Sequence, residues 1–170
     1  MSIFISSAKR SSYFFLRQLK EKYQNIKKYI KIEPVYHTIE CEYCSSENCV
    51  EGYCSFDYEH WDFKTGSKIV LEEIHQYAIF DQKKDEVWLE YMDKFDEYCM
   101  GNWNDVDQCS KDILRQMGVT DSFHPNALYT LRLWDSNQKK LGFNSFPEVA
   151  INNMIYSGNF DIDDVMKAFC

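Results

Sequence analysis

Phe146-Pro147-Glu148-Val149-Ala150-Ile151-Asn152-Asn153-Met154-Ile155-Tyr156-Ser157-Gly158 is the stretch on which the fold turns. Two short apolar runs flank Asn152-Asn153, and asparagine tolerates the positive φ that a tight two-residue hairpin turn demands. Asp161-x-x-Asp164 then supplies a helix start, and the apolar side of that helix is Ile162, Val165, Met166 and Phe169. The carboxyl end reads as a hairpin followed by a helix.

Working outward, Ser2 to Ser6 reads as a short buried strand. Ser11 and Ser12 can cap a helix, because a hydroxyl satisfies the orphan amides of a first turn. Phe15, Leu19, Tyr23, Ile26 and Ile30 recur at spacings that share one helical face. Pro34 is expected to stop that helix, and Val35 to Ile39 to form a second strand, giving a right-handed βαβ unit. From Ser67 to Met117 the pattern is helical, with stripes at Val70, Ile74 and Tyr77, at Trp88, Tyr91, Phe95 and Tyr98, and at Val106, Cys109, Ile113 and Met117. Asn102 to Asp105 carry turn and cap chemistry, and Gly118 suits a helix terminator. Between Pro125 and Ser136, Ala127, Leu131 and Trp134 favour helix over strand. The order is β-α-β, helical insertion, β-hairpin, α: an α/β chain with a mixed sheet covered by helices.

Composition bounds the function. The 170 residues carry 19 Lys and Arg against 27 Asp and Glu, a net charge of −8, which argues against a nucleic-acid protein. Apolar residues at 45%, with only 6 Gly and 3 Pro, exclude disorder and low complexity. No window is apolar enough for a membrane span.

Seven cysteines are heavy use for this length: Cys41-x2-Cys44-x4-Cys49-x4-Cys54, then Cys99-x9-Cys109, then Cys170. An even set with one left over suggests disulfides from an oxidising compartment. Zinc competes for Cys41, Cys44, Cys49 and Cys54, but the spacing departs from a CxxC pair repeated across a longer loop, and disulfides are preferred. Cys99 closes one helix and Cys109 sits early in the next, so a bond there would staple an αα-hairpin.

The first twenty residues hold five Ser, four basic residues and no acid. The apolar stretch Ile3 to Ile5 is too short for a secretory signal and precedes Lys9 and Arg10. The pattern is closer to a mitochondrial transit segment, with a plain strand and basic helix start as the simpler reading. The segment is expected to be retained, which disfavours the secretory lumen.

Pro147 before a strand, an Asn turn, an aromatic-x-Gly exit and a capped helix resemble the carboxyl half of the thioredoxin fold, in which that proline is characteristically cis. The helical block resembles the insertion of bacterial disulfide oxidoreductases. A closer similarity is to the thioredoxin-like region of plant vacuolar sorting receptors. It runs from about Tyr13 to Cys170 and is carried by Tyr36-His37-Thr38-Ile39, Gly66-Ser67-Lys68-Ile69-Val70-Leu71-Glu72, Trp88-Leu89-Glu90-Tyr91-Met92, the Cys99/Cys109 pair, Phe146 to Asn153, Tyr156-Ser157-Gly158 and Val165 to Cys170. The resemblance implies a thioredoxin-like mixed four-stranded sheet with an inserted helical subdomain. The single domain divides into a βαβ half (1–40), a Cys-rich loop (41–65), the helical insertion (66–140) and the cis-proline hairpin with the last helix (141–170). The family's cysteine pair near the first helix is absent here; the corresponding stretch is Ser6 to Ser12. A cysteine before the family's final helical stretch is also missing, which leaves Cys170 apparently unpaired. The receptors' cargo-binding domain, growth-factor-like repeats and transmembrane helix have no counterpart in this sequence.

Thiol–disulfide catalysis in such a fold needs a cysteine at the amino end of the first helix, where the dipole stabilises a thiolate. Residues 6–12 offer Ser, Ala, Lys and Arg only, and Cys41-x2-Cys44 follows the second strand instead. No catalytic residue, cofactor or metal is assigned. Asp57, Glu59, His60 and Asp62 read as a solvated loop rather than a cation site. His37 and His75 are expected to pack. Lys9 and Arg10 would suit an anion or lipid headgroup, with a surface charge pair the simpler reading. Twelve Tyr, twelve Phe and four Trp exceed the needs of one core, and Trp61, Trp103 and Trp134 are candidate interface anchors. The expectation is a non-catalytic accessory or docking subunit of a larger assembly, on the intermembrane-space side of the mitochondrial inner membrane. The alternatives are a cargo-sorting module of the secretory or endosomal lumen and, less favoured, a thiol–disulfide oxidoreductase using Cys41 and Cys44 or Cys170.

Overall fold

The computed structural model describes residues 1–55, 65–120 and 126–168, and its sheet is built around the amino-terminal strand. β1 (Ser2–Ile5) lies between β2 (Glu33–Tyr36), its parallel neighbour, and β6 (Glu148–Ile151), its antiparallel one; β7 (Met154–Ile155) completes the order β2-β1-β6-β7. Ile3, Phe4 and Ile5 are essentially inaccessible, the continuous apolar run expected of a strand covered on both faces. The segment read as transit-like is thus an inner strand of the sheet, followed by an amphipathic helix.

α1 (Arg10–Ile26) buries Tyr13, Phe15, Leu16, Leu19 and Tyr23. Two details differ from expectation. The helix starts after Lys9 with no side-chain cap bond; the Ser12 hydroxyl instead accepts the Ser6 amide at 3.1 Å. It also ends at Ile26, well before Pro34, which lies inside β2 rather than stopping the helix. β2 is an edge strand, the one place in a sheet where a residue without an N–H is tolerated.

The Cys-rich segment is no plain loop. β3 (Ile39–Glu40), β4 (Cys49–Val50) and β5 (Tyr53–Cys54) make a three-stranded antiparallel sheet of order β3-β5-β4, with Glu51 and Gly52 turning the β4–β5 hairpin at positive φ. This knob sits on the start of α2 (Gly66–Tyr98). A Cβ at Gly66 would fall 2.6 Å from the Asn48 carbonyl oxygen and 2.7 Å from that of Ser55, so only glycine permits the contact.

α2 is kinked at Lys84 (φ 69°, ψ −175°), which separates the first two stripes of the sequence. Tyr98, expected on the second, is exposed. α3 (Val106–Gln116) ends in a Schellman pair, the Val119 amide reaching the Leu114 carbonyl and Gly118 that of Arg115. α4 (Ala127–Leu141) confirms the helical reading of most of the ambiguous segment; Pro125 lies outside the described residues. Asn152 and Asn153 turn the β6–β7 hairpin at φ 50° and 65°. The Asp161 carboxylate caps α5 (Ile162–Lys167) by accepting the Asp163 amide at 2.9 Å. The expected order of elements is observed, with the three strands of the Cys-rich segment added between β2 and α2.

Candidate functional site

The reactive position of a thioredoxin-like sheet lies where β1 hands the chain to α1. Here that turn is Ser6-Ser7-Ala8, all buried. The Ser7 amide and hydroxyl each donate to Glu73 Oε1 at 3.0 Å, and the Ser6 hydroxyl reaches the same oxygen at 3.4 Å. Tyr13 closes the turn by donating its hydroxyl to the Ser7 carbonyl at 2.9 Å. Glu73 is wholly buried on the inward face of α2. Burial pushes its carboxyl up to about 8; the serine bonds oppose this, and neighbouring Glu72 adds to it. Glu73 is therefore largely protonated at neutral pH. Ser6 and Ser7 give their protons to this acid rather than to a base, so neither hydroxyl is an activated nucleophile.

Phe146-Pro147 is cis, as the resemblance implied. The pairing of Phe4 with Glu148 carries this bond alongside the end of β1, beside the Ser6–Ser7 turn. Glu148 accepts the Asn144 and Ser145 amides at 2.8 and 3.2 Å and so fixes the approach to the proline. His37 stands at the same end of the sheet, its ring 4.8 Å from Phe146 and 5.5 Å from Phe4. Burial lowers its pKa to about 4, so the imidazole is neutral and packs among aromatics, as expected of it. The place where this fold performs redox chemistry thus holds two serines, a protonated acid, a cis-proline and a neutral histidine.

A second polar group contributes Glu72, His75 and Ser110 to the lining of a cleft of about 470 Å³ between α2 and α3. Tyr91 donates its hydroxyl to Glu72 Oε1 at 2.7 Å, Ser110 Oγ lies 2.5 Å from the Tyr91 oxygen, and His75 Nδ1 lies 3.0 Å from Ser110 Oγ. With the His75 proton on Nδ1, every bond runs in one direction, towards Glu72. A serine triad would need the hydroxyl and the carboxylate on different ring nitrogens. Here Ser110 and Glu72, the latter 3.8 Å away, both address Nδ1. The group organises the helix contact and forms no triad. Sequence reading passed over Glu72 and Glu73 as site residues. The available signal was an acid at position 73, in register with the apolar stripe Val70, Ile74 and Tyr77.

The cysteines follow the preferred reading. Cys99 is bonded to Cys109 (Cα–Cα 5.7 Å), stapling the αα-hairpin between α2 and α3. In the knob Cys41 is bonded to Cys54 and Cys44 to Cys49, a connectivity that spacing left open. The sulfurs of Cys41, Cys49 and Cys54 all lie within 4.8 Å of one another. Cys170 lies outside the described residues, as do Trp61 and the acidic cluster Asp57, Glu59, His60 and Asp62.

The tryptophan anchors need correction. Trp103 is 3% exposed and Trp134 wholly buried. Trp103 tucks under the stapled hairpin against Phe95, with ring centroids 6.1 Å apart. α4 drives Trp134 between Tyr36 and Tyr77, at 5.0 and 5.6 Å. Among the described residues the large exposed aromatics are Phe14, Tyr29, Tyr43, Tyr98 and Tyr129. Helical periodicity gave the right face for Trp134 but not what covers that face.

Among the described residues no helix is long and apolar enough to cross a membrane. No curated protein matches the chain. The family model described as the vacuolar sorting receptor thioredoxin-like domain matches residues 5–170. With the strand order, the cis-proline and the inserted helices already in place, this match shows that the chain belongs to the vacuolar sorting receptor thioredoxin-like domain family.

Proposed function

We propose that the chain is a non-catalytic protein-binding module of the secretory or endosomal lumen, of the kind found in sorting receptors, and that it works within a larger assembly. One observation carries the reading: the helix start that would hold a reactive thiol is Ser6-Ser7 locked to the protonated, buried Glu73. The disulfides of the knob and of the αα-hairpin suit an oxidising lumen. The family match supports the lumen over the mitochondrial intermembrane space. Among the described residues, docking falls to the exposed Phe14, Tyr29, Tyr43, Tyr98 and Tyr129 rather than to Trp103 and Trp134.

The test combines compartment, partners and chemistry. Native protein extracted in mild detergent should come from secretory or endosomal membranes, in particles larger than the 20.3 kDa chain. It should reduce insulin no faster than buffer. A free monomer would sink the docking reading. Insulin turnover that is abolished in Cys41→Ser or Cys44→Ser variants would favour the oxidoreductase alternative instead.

A further inference from the structure

We propose that the knob, once its two disulfides are reduced, is a four-thiolate site for a thiophilic divalent ion of the zinc class, with Cys41, Cys44, Cys49 and Cys54 as ligands. In a tetrahedral zinc site with bonds of about 2.3 Å, sulfurs stand about 3.8 Å apart. Three of the four sulfurs already lie within 4.8 Å of one another. The fourth, on Cys44, is bonded to Cys49 and so lies beside that group. Cys49 and Cys54 face each other directly across β4 and β5, and Cys41 follows directly on β3, the other neighbour of β5.

The gathering does not depend on the sulfur bonds alone. Asn48 Oδ1 accepts the Ser45 amide at 2.7 Å and its hydroxyl at 3.0 Å, and Asn48 Nδ2 donates to the Tyr43 carbonyl at 3.2 Å. The Cys41 amide donates to the Gly52 carbonyl at 2.9 Å. Ser67 holds the Glu47 carbonyl through its amide and hydroxyl, at 3.1 and 2.9 Å. These bonds tie the backbone around the four side chains and seat it on α2. Cys44 is exposed and Cys41 and Cys54 are half-buried, so each knob disulfide offers an accessible cysteine to a reductant.

The chemistry balances. Each disulfide takes two electrons and two protons from a phosphine and water, giving two thiols and one phosphine oxide. One Zn²⁺ then displaces four thiol protons and forms a dianionic tetrathiolate, with four protons released. Nothing is left unpaired.

The test uses the full chain, reduced with a phosphine and freed of it without air, then titrated with Co²⁺ and with Zn²⁺. The expected result is one ion per chain, thiolate-to-cobalt charge-transfer bands with tetrahedral d–d bands, displacement of Co²⁺ by Zn²⁺, and loss of four thiols from reaction with a disulfide reagent. The Cys99→Ser/Cys109→Ser variant should bind unchanged, and Cys49→Ser should lose the bound ion. Cys49→His separates the chemistries: imidazole replaces thiolate at zinc and cannot form a disulfide, so this variant should regain one ion per chain. Failure of the reduced chain to take up either ion, or uptake undiminished in Cys49→Ser, would overturn the site.

Discussion

The Ser6–Ser7 turn and the cysteine knob are both dense gatherings of polar atoms, and they are held by opposite means. The turn is secured by surroundings: a buried acid with its proton retained, amides and hydroxyls all aimed at one oxygen, and apolar side chains of α1 and α2 around them. The knob has little apolar mass, with Tyr43 86% exposed and Ile39 48% exposed, and covalent bonds stand in for a core. The first region should therefore answer to pH and packing, and the second to redox state. That division can be tested piece by piece.

The largest expected effect is on pH dependence. In the unfolded chain Glu73 loses its proton near pH 4.5, but in the folded chain only near 8. Below the lower value both states are protonated. As pH rises from there to about 8, stability falls, by at most about 5 kcal/mol. His37 acts on the other flank. The unfolded chain binds a proton below about 6.5 that the folded chain refuses until about 4, so stability also falls as pH drops through that range. The two slopes oppose each other between about 4.5 and 6.5, and thermal melts across pH should show a plateau there with a decline on the alkaline side. Glu73→Gln should abolish the alkaline decline; a variant that retains it would show that other groups cause the decline.

Packing comes next. Trp88 is fully buried and donates its indole N–H to the Tyr36 hydroxyl at 3.1 Å. Trp88→Ala should cost about 4 kcal/mol in denaturant unfolding. Removing one knob disulfide, as Cys41→Ser/Cys54→Ser, opens a bridge spanning 13 residues and should cost at most about 3 kcal/mol. Helical circular dichroism should survive that change, because α1 to α4 do not rest on this bond. Collapse of the helices would erase the contrast between the two regions. The smallest effect is at the last helix, where Asp161→Ala removes the cap bond and should cost about 1 kcal/mol in the same unfolding experiment.

Sequence made the scaffold legible wherever local chemistry agreed with the tertiary result. Asn152-Asn153 required the positive-φ turn, Asp161 the cap, and the residue pattern around Pro147 carried the resemblance to a thioredoxin-like mixed sheet. Legibility failed where a long-range contact decided. Pro34 is tolerated because β2 happens to be an edge, and Ser12 turns to the Ser6 amide instead of capping its own helix. Trp134 disappears because α4 lays it between two tyrosines contributed by β2 and α2. The absent thiol could be read directly, but Glu73, which fills its place, needed the meeting of α2 with a turn more than sixty residues upstream.

The position of β1 has a consequence for how the protein is made. Its antiparallel neighbour β6 begins at Glu148, so more than 140 residues must follow β1 out of the ribosome before that strand finds its second neighbour. Contacts so distant along the chain slow folding. Until then, Ile3 to Ile5 form an unfinished edge that pairs with whatever reaches it first. Nascent chains stalled before residue 148 should therefore bind chaperones through β1.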